Sequence, residues 1–97
     1  MSIEESIHRL VPPHMVTAVQ GYVFRGEPCG HFLKAVFSNN LLAASIRADD
    51  TNRACLWEYG KLLYLLPSEC WGSPTAVLKW QKSNGLMSRT IKETTHV

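Results

Sequence analysis

The sequence predicts an all-α fold: a compact single-domain bundle of about five or six short helices with a polar C-terminal tail. Three observations carry this expectation. Apolar residues recur at helical spacing, and no run alternates convincingly with period two. Capping residues, prolines and glycines punctuate those runs at short intervals. The chain has no internal repeat and no low-complexity segment. At 97 residues there is room for one core, and a chain of this size buries roughly 60–70% of its unfolded surface without staples. The helical domain is expected over 1–85 and a flexible tail over 86–97.

The first helix opens on Ser2-Ile3-Glu4-Glu5, which reads as a capping box. Ile3, Ile7 and Leu10 share a face, and Val11-Pro12-Pro13 ends the helix, because a residue before proline leaves the α region. A second helix starts at Pro13. Its apolar positions are Met15, Val16, Val19, Tyr22 and Val23, and Gly26 is its C-cap. Gly21 costs about 1 kcal/mol there against alanine and would let another helix approach closely.

The third helix runs from Cys29 or Gly30 to Ser38. Phe32, Leu33, Val36 and Phe37 form a wide apolar stripe, expected to pack against Val19, Tyr22, Leu56, Tyr59 and Leu63. At Ser38-Asn39-Asn40, an asparagine can turn left-handed to close one helix, and Asn40 can cap the next. That helix runs from Leu41 to about Arg47, with Leu42 and Ile46 expected to face inward.

Asp49 or Asp50 then caps one longer helix reaching Leu66, with Leu56, Tyr59, Leu63 and Leu66 as its inner face. Pro67 stops it, and Ser68 to Gly72 form a turn. Ser73-Pro74 is an N-cap followed by a first-turn proline, opening a last helix with Ala76, Val77 and Trp80 that ends at Asn84-Gly85.

Composition narrows function by exclusion. Charged residues make up 19% and the net charge is +2, far from the basic stripe of a nucleic-acid binder or the acidity of a DNA mimic. No apolar run approaches the roughly 20 residues that span a bilayer. Cys29, Cys55 and Cys70 form no C-x-x-C, and without a leader pattern at the start they read as reduced, packed thiols in a cytosol. Cys29 and His31 are one short pair, whereas a structural zinc site needs two, so neither a metal nor another cofactor is expected. No nucleophile motif, and no acid, base and pocket, can be assembled from the residues.

The candidate site residues are polar and aromatic. Arg47, Asp49, Asn52 and Arg53 cluster, with Asn39 and Asn40 nearby in sequence. A guanidinium in the first turn after an Asp49 cap is badly placed for the helix dipole, so something else must hold Arg53. Either an arginine forks onto Asp49 or Asp50 and pins two helices, or the cluster grips a ligand or partner. Ser73 opens a helix whose N–H groups could face an anion, although the glycines and lysine of a P-loop are missing. Trp71 lies in a loop and Trp57 near the edge of its stripe; both are interface-type residues, while Trp80 suits a core margin.

Gly30-His31-Phe32-Leu33-Lys34-Ala35-Val36-Phe37-Ser38-Asn39-Asn40-Leu41 resembles a Gly-x-Phe-Leu-x-Ala-Val-x-x-Asn-Asp-Leu pattern. Arg47-Ala48-Asp49-x-x-Asn52-Arg53 and Trp71-Gly72-Ser73-Pro74 match two further blocks in the same order. With Pro13-His14-Met15 and the Gly26-x-Pro28 turn, the chain over roughly 12–81 resembles a small protein family of tailed phages and prophages. It departs at Asn40, where the pattern has Asp. The resemblance implies no established activity. It does imply a viral protein in the cytoplasm of a bacterial host, and such proteins often bind host proteins or inhibit host defence.

The expectation is therefore a non-enzymatic binding protein that engages a host protein or complex, of anti-CRISPR-like type. One alternative is a nucleotide or phosphate binder, or sponge, using Ser73 with Arg47 or Arg53. Another is a nucleic-acid-associated protein reading through Asn52, Arg53 and Lys61 of the long helix. A homodimer is the expected form if the chain self-associates.

Overall fold

A computed structural model describes residues 2–87 of the chain. The described residues are helical, with no strand among them. In order they form α1 (Ile3–Leu10), a 3-10 turn (Pro13–Met15), α2 (Val16–Arg25), α3 (His31–Phe37), α4 (Leu41–Arg47), α5 (Asp50–Ala54), α6 (Leu56–Leu65), a second 3-10 turn (Ser68–Cys70) and α7 (Pro74–Lys82). An eighth helix, α8, begins at 85–87. Among the described residues there are thus eight α-helices rather than five or six.

Part of the difference lies at Cys55. The expected long helix breaks there into α5 and α6, with Cys55 at φ −106° and ψ 14° and its N–H turned back to the Asn52 carbonyl at 3.0 Å. The other part is α8, whose half-buried Leu86 packs against the core. The rest of the expected tail, 88–97, lies outside the described residues.

The caps behave as local chemistry demands. Ser2, Asn40, Asp49 and Ser73 each accept a hydrogen bond from the backbone N–H three residues on. Asn39, at φ 61°, closes α3 in a Schellman turn: the Asn40 N–H reaches the Ala35 carbonyl at 2.9 Å and the Asn39 N–H reaches Val36 at 3.1 Å. Gly26, at φ 67°, ends α2. Gly21 is not a helix-crossing point. The space beside it is taken by the Glu27 carboxylate, which pairs with Arg25.

The core is built around α3. Phe32, Leu33, Val36 and Phe37 are all buried, with Ile7, Val19, Tyr22, Val23, Tyr59, Leu62, Val77 and Trp80 around them. Leu56 is only half-buried. The Phe37 ring stacks on Tyr22 at 4.2 Å, and Phe32 meets Tyr59 edge-on at 5.2 Å. Two buried polar groups tie distant elements together. The Tyr22 hydroxyl donates to the Cys70 carbonyl at 2.6 Å, and Trp80 Nε1 donates to the Tyr22 carbonyl at 3.0 Å.

Helix α4 is amphipathic in the opposite sense to that expected. Ala44 and, at the C-cap, Ala48 are buried and Ala43 half-buried, whereas Leu42 and Ile46 are 73% and 70% exposed. The cause is the short α3–α4 turn. Small residues at a helix contact allow a close approach, so the alanines meet the bundle and the long side chains lie on the outer arc.

Candidate functional site

The polar cluster divides into three parts. Arg53 is held by the fold. Its Nε donates to the Ser45 carbonyl at 3.3 Å, Nη2 to the Ala48 carbonyl at 3.1 Å and Nη1 to Asp50 at 3.1 Å. The guanidinium therefore sits at the C-terminal end of α4, where free carbonyls and the dipole favour a cation. This resolves its unfavourable position in the first turn of α5. Of the bridges expected from the sequence, Arg53 to Asp50 forms, but within α5 rather than between two helices; the tie to α4 runs through the Ser45 and Ala48 carbonyls. Arg47 is exposed and makes no ion pair among the described residues.

Asp49, which is exposed, and Asn52, which is buried, also make hydrogen bonds within the fold. Asp49 Oδ1 accepts the Asn52 N–H at 2.7 Å, and Oδ2 lies 3.1 Å from His14 Nε2, joining α5 to the first 3-10 turn. The Asn52 N–H first, and His14 after it, hold the Asp49 carboxyl below its ordinary value. Asn52 is 3% exposed, and its Oδ1 accepts from the Tyr59 hydroxyl at 2.8 Å. Burial raises the Tyr59 pKa, which keeps that hydroxyl a donor. Asn52→Ala is expected to cost about 1–3 kcal/mol in urea unfolding, because it strands a buried hydroxyl. The double variant with Tyr59→Phe should lose less than the sum of the two single losses. Strict additivity would show that the two groups do not interact.

Asn39 and Asn40 are exposed and spend their backbone or side-chain groups on the α3–α4 turn. They also rim a groove of about 160 Å³ between α4 and α6, lined in addition by Leu41, Ala44, Leu56, Tyr59, Gly60 and Leu63. Ser73 caps α7 and borders an open trough of about 610 Å³ with Thr75, Lys79 and Trp80. Neither Arg47 nor Arg53 lines that trough. Trp71 is half-buried and meets Tyr64 edge-on at 5.9 Å; its Nε1 is buried without a hydrogen-bond partner among the described residues. The loop after it is anchored by the Gly72 N–H on the Phe37 carbonyl at 2.8 Å.

Two of the three thiols are quiet. Burial pushes Cys70 up to about 12 and Cys29 up to about 11, so neither carries a thiolate at neutral pH. Among the described residues no three His, Cys, Asp or Glu side chains gather as a metal would require. No helix among them is long and apolar enough to cross a membrane.

The apolar surface includes Trp57, which the sequence marks as interface-type, and the outer face of α4, which the sequence reads as inward-facing. Leu41, Leu42 and Ile46 on α4 are 68%, 73% and 70% exposed, and Trp57 and Tyr64 on α6 are 72% and 84% exposed. A signal exists in α4, where five of seven residues are apolar and two of those are alanines. Such a helix can turn either set inward. Compared with known proteins, the chain matches no family description, no curated sequence and no solved structure.

Proposed function

We propose that this chain is a non-enzymatic binding protein that engages a host protein through the outer face of α4. The observation that carries the reading is the inverted amphipathicity of that helix. Leu42 and Ile46 lie one turn apart and outward, while alanines do the packing. Large apolar side chains in water cost about 1.5–3 kcal/mol each relative to burial, so a partner that covers them gains directly. Arg47 beside them makes no ion pair among the described residues and supplies a charge for orientation. The resemblance to tailed-phage proteins supports a bacterial cytoplasm as the setting and a host complex, including a defence complex, as the target. The nucleotide alternative draws less support, since Arg53 is committed to the end of α4.

The test is affinity purification from bacterial host lysate, with wild type and Leu42→Asp/Ile46→Asp as baits. Both positions are exposed, so the double variant should fold with nearly unchanged stability. Wild type is expected to retain a host protein, and the variant to retain at least tenfold less, the loss that about 1.4 kcal/mol produces. Equal retention by both baits, or no host protein on either, would overturn the reading.

A further inference from the structure

Asn84 and Gly85 form the one Asn-Gly pair in the sequence. They stand in the turn between α7 and α8. Asn84 is exposed at φ 64°, and Gly85 beside it is buried against the end of α2. Among the described residues the Asn84 side-chain amide makes no hydrogen bond, and neither does the Gly85 N–H. The other asparagines differ. After Asn39 and Asn52 the next N–H is committed: that of Asn40 to the Ala35 carbonyl and that of Arg53 to the Asp49 carbonyl, both at 2.9 Å. Asn40 holds the Ala43 N–H with its own side chain and is followed by Leu41, not glycine.

A free asparagine amide next to a free glycine N–H is a reactive pair. The Gly85 nitrogen can attack the Asn84 side-chain carbonyl carbon. A C–N bond forms, the bond to the amide nitrogen breaks, and ammonia leaves with the proton that Gly85 gives up. Water then opens the five-membered ring at either carbonyl. One opening leaves aspartate at position 84. The other routes the main chain through the side chain and leaves isoaspartate, with one extra methylene in the main chain. Water is the only co-reactant. Glycine has no Cβ to obstruct the ring. Closure needs rotation about the Asn84 Cα–C bond, so it proceeds in transient openings of the turn. Two hydrogen bonds restrain that turn, Ser83 N–H to the Lys79 carbonyl at 3.0 Å and Asn84 N–H to the Gln81 carbonyl at 3.2 Å.

We infer that Asn84 is a site of spontaneous isoaspartate formation, and that this modification unlocks α8 from the end of α2. The consequence follows from what Gly85 touches. Its backbone lies so close to the Gly26 and Arg25 nitrogens that a Cβ would overlap them. Isoaspartate lengthens the main chain by about 1.5 Å, one C–C bond, beside a contact with no room to spare. The aspartate product keeps the main-chain length and only adds a charge to an exposed side chain. The two products of one reaction therefore differ in effect, and the isoaspartate form alone parts the helices.

Ageing the full chain tests this, at neutral and at mildly alkaline pH, with peptide mapping by mass spectrometry and an isoaspartyl methyltransferase as the probe. Isoaspartate is expected at Asn84 and not at Asn39, Asn40 or Asn52, and faster at the higher pH. The isoaspartate fraction, separated by charge, should melt more than about 5 °C below fresh protein. Asn84→Gly keeps the left-handed turn and removes the amide. It should melt within about 3 °C of wild type and stay unchanged on ageing. Freshly prepared Asn84→Asp should also melt within about 3 °C of wild type, which separates charge from main-chain length. The inference is overturned if folded protein shows no conversion at Asn84 while protein in guanidinium converts. Conversion at Asn39 or Asn40 at an equal rate overturns it too, as does an isoaspartate fraction that melts like fresh protein or like Asn84→Asp.

Discussion

Gly85→Ala is expected to remove about 3–5 kcal/mol of stability, at the far end of what single substitutions do. Gly85 sits at φ 76°, a conformation any residue with a Cβ adopts at a cost of about 1–2 kcal/mol. Steric overlap costs more than this backbone strain. A Cβ there would lie 2.5 Å from the Gly26 nitrogen, 2.7 Å from the Arg25 nitrogen and 2.7 Å from the Phe24 carbonyl carbon. All three are backbone atoms, so no rotamer change relieves the overlap. The end of α2 and the start of α8 would have to separate. Next to them, Trp80 Nε1 holds the Tyr22 carbonyl, and a Cβ on Gly26 would reciprocally lie 2.9 Å from the Trp80 carbonyl oxygen. Separation therefore loosens the Trp80 side of the core as well. Thermal unfolding followed by far-UV circular dichroism should show a fall of more than about 10 °C. Gly60→Ala, where a Cβ meets nothing within 4 Å among the described residues and alanine is the better helix residue, is the control of opposite sign. A loss under about 1 kcal/mol for Gly85→Ala would mean that the two glycine turns do not touch.

The Gly26–Gly85 contact shows where sequence reading runs out. Each glycine is legible alone as a helix terminator. That they face each other across 59 positions is a tertiary fact with no local signature. Four caps, at Ser2, Asn40, Asp49 and Ser73, are legible because a cap is chemistry within three residues. The α3 stripe is legible because four large apolar residues on one face leave a single way to bury them.

Helix α4 is not legible, since Leu42 with Ile46 and Ala44 with Ala48 both make an i, i+4 pair. Only the closeness of α3 decides between them. The Cys55 break carries no proline or glycine to announce it. For Arg53, the helix dipole implies that something must hold the guanidinium. Its main acceptors are the backbone carbonyls of Ser45 and Ala48, and every residue type has a carbonyl to offer. Asn52 has the polarity of a contact residue and is a buried brace, because its partner Tyr59 lies across the break. The candidate site that remains open to a partner is thus mainly apolar: it includes Trp57, which the sequence marks as an interface-type residue, and Leu42 and Ile46, which the sequence reads as inward-facing.

Phe37→Ala is the second large effect, expected at about 3–5 kcal/mol. Phe37 is 1% exposed, and its ring lies 4.2 Å from Tyr22 at an interplanar angle of 20°. How much is lost depends on whether the neighbours can close the gap. Here they are pinned. The Tyr22 hydroxyl is held by the Cys70 carbonyl at 2.6 Å, and the Tyr22 carbonyl by Trp80 Nε1 at 3.0 Å. The Phe37 carbonyl itself accepts from the Gly72 N–H at 2.8 Å, which holds the Trp71 loop in place. A ring tethered at its hydroxyl and at its own backbone cannot slide into the vacated space, so a cavity persists and the loss falls in the upper part of the range.

Benzene checks whether the cavity persists. An apolar cavity of ring size stays dry and takes benzene. Benzene at 100 times its Kd would then restore about 2.7 kcal/mol to Phe37→Ala and nothing to wild type. A variant that loses about 3 kcal/mol or more but gains nothing from benzene would mean that the core had collapsed, and that the Tyr22 hydrogen bonds do not pin it.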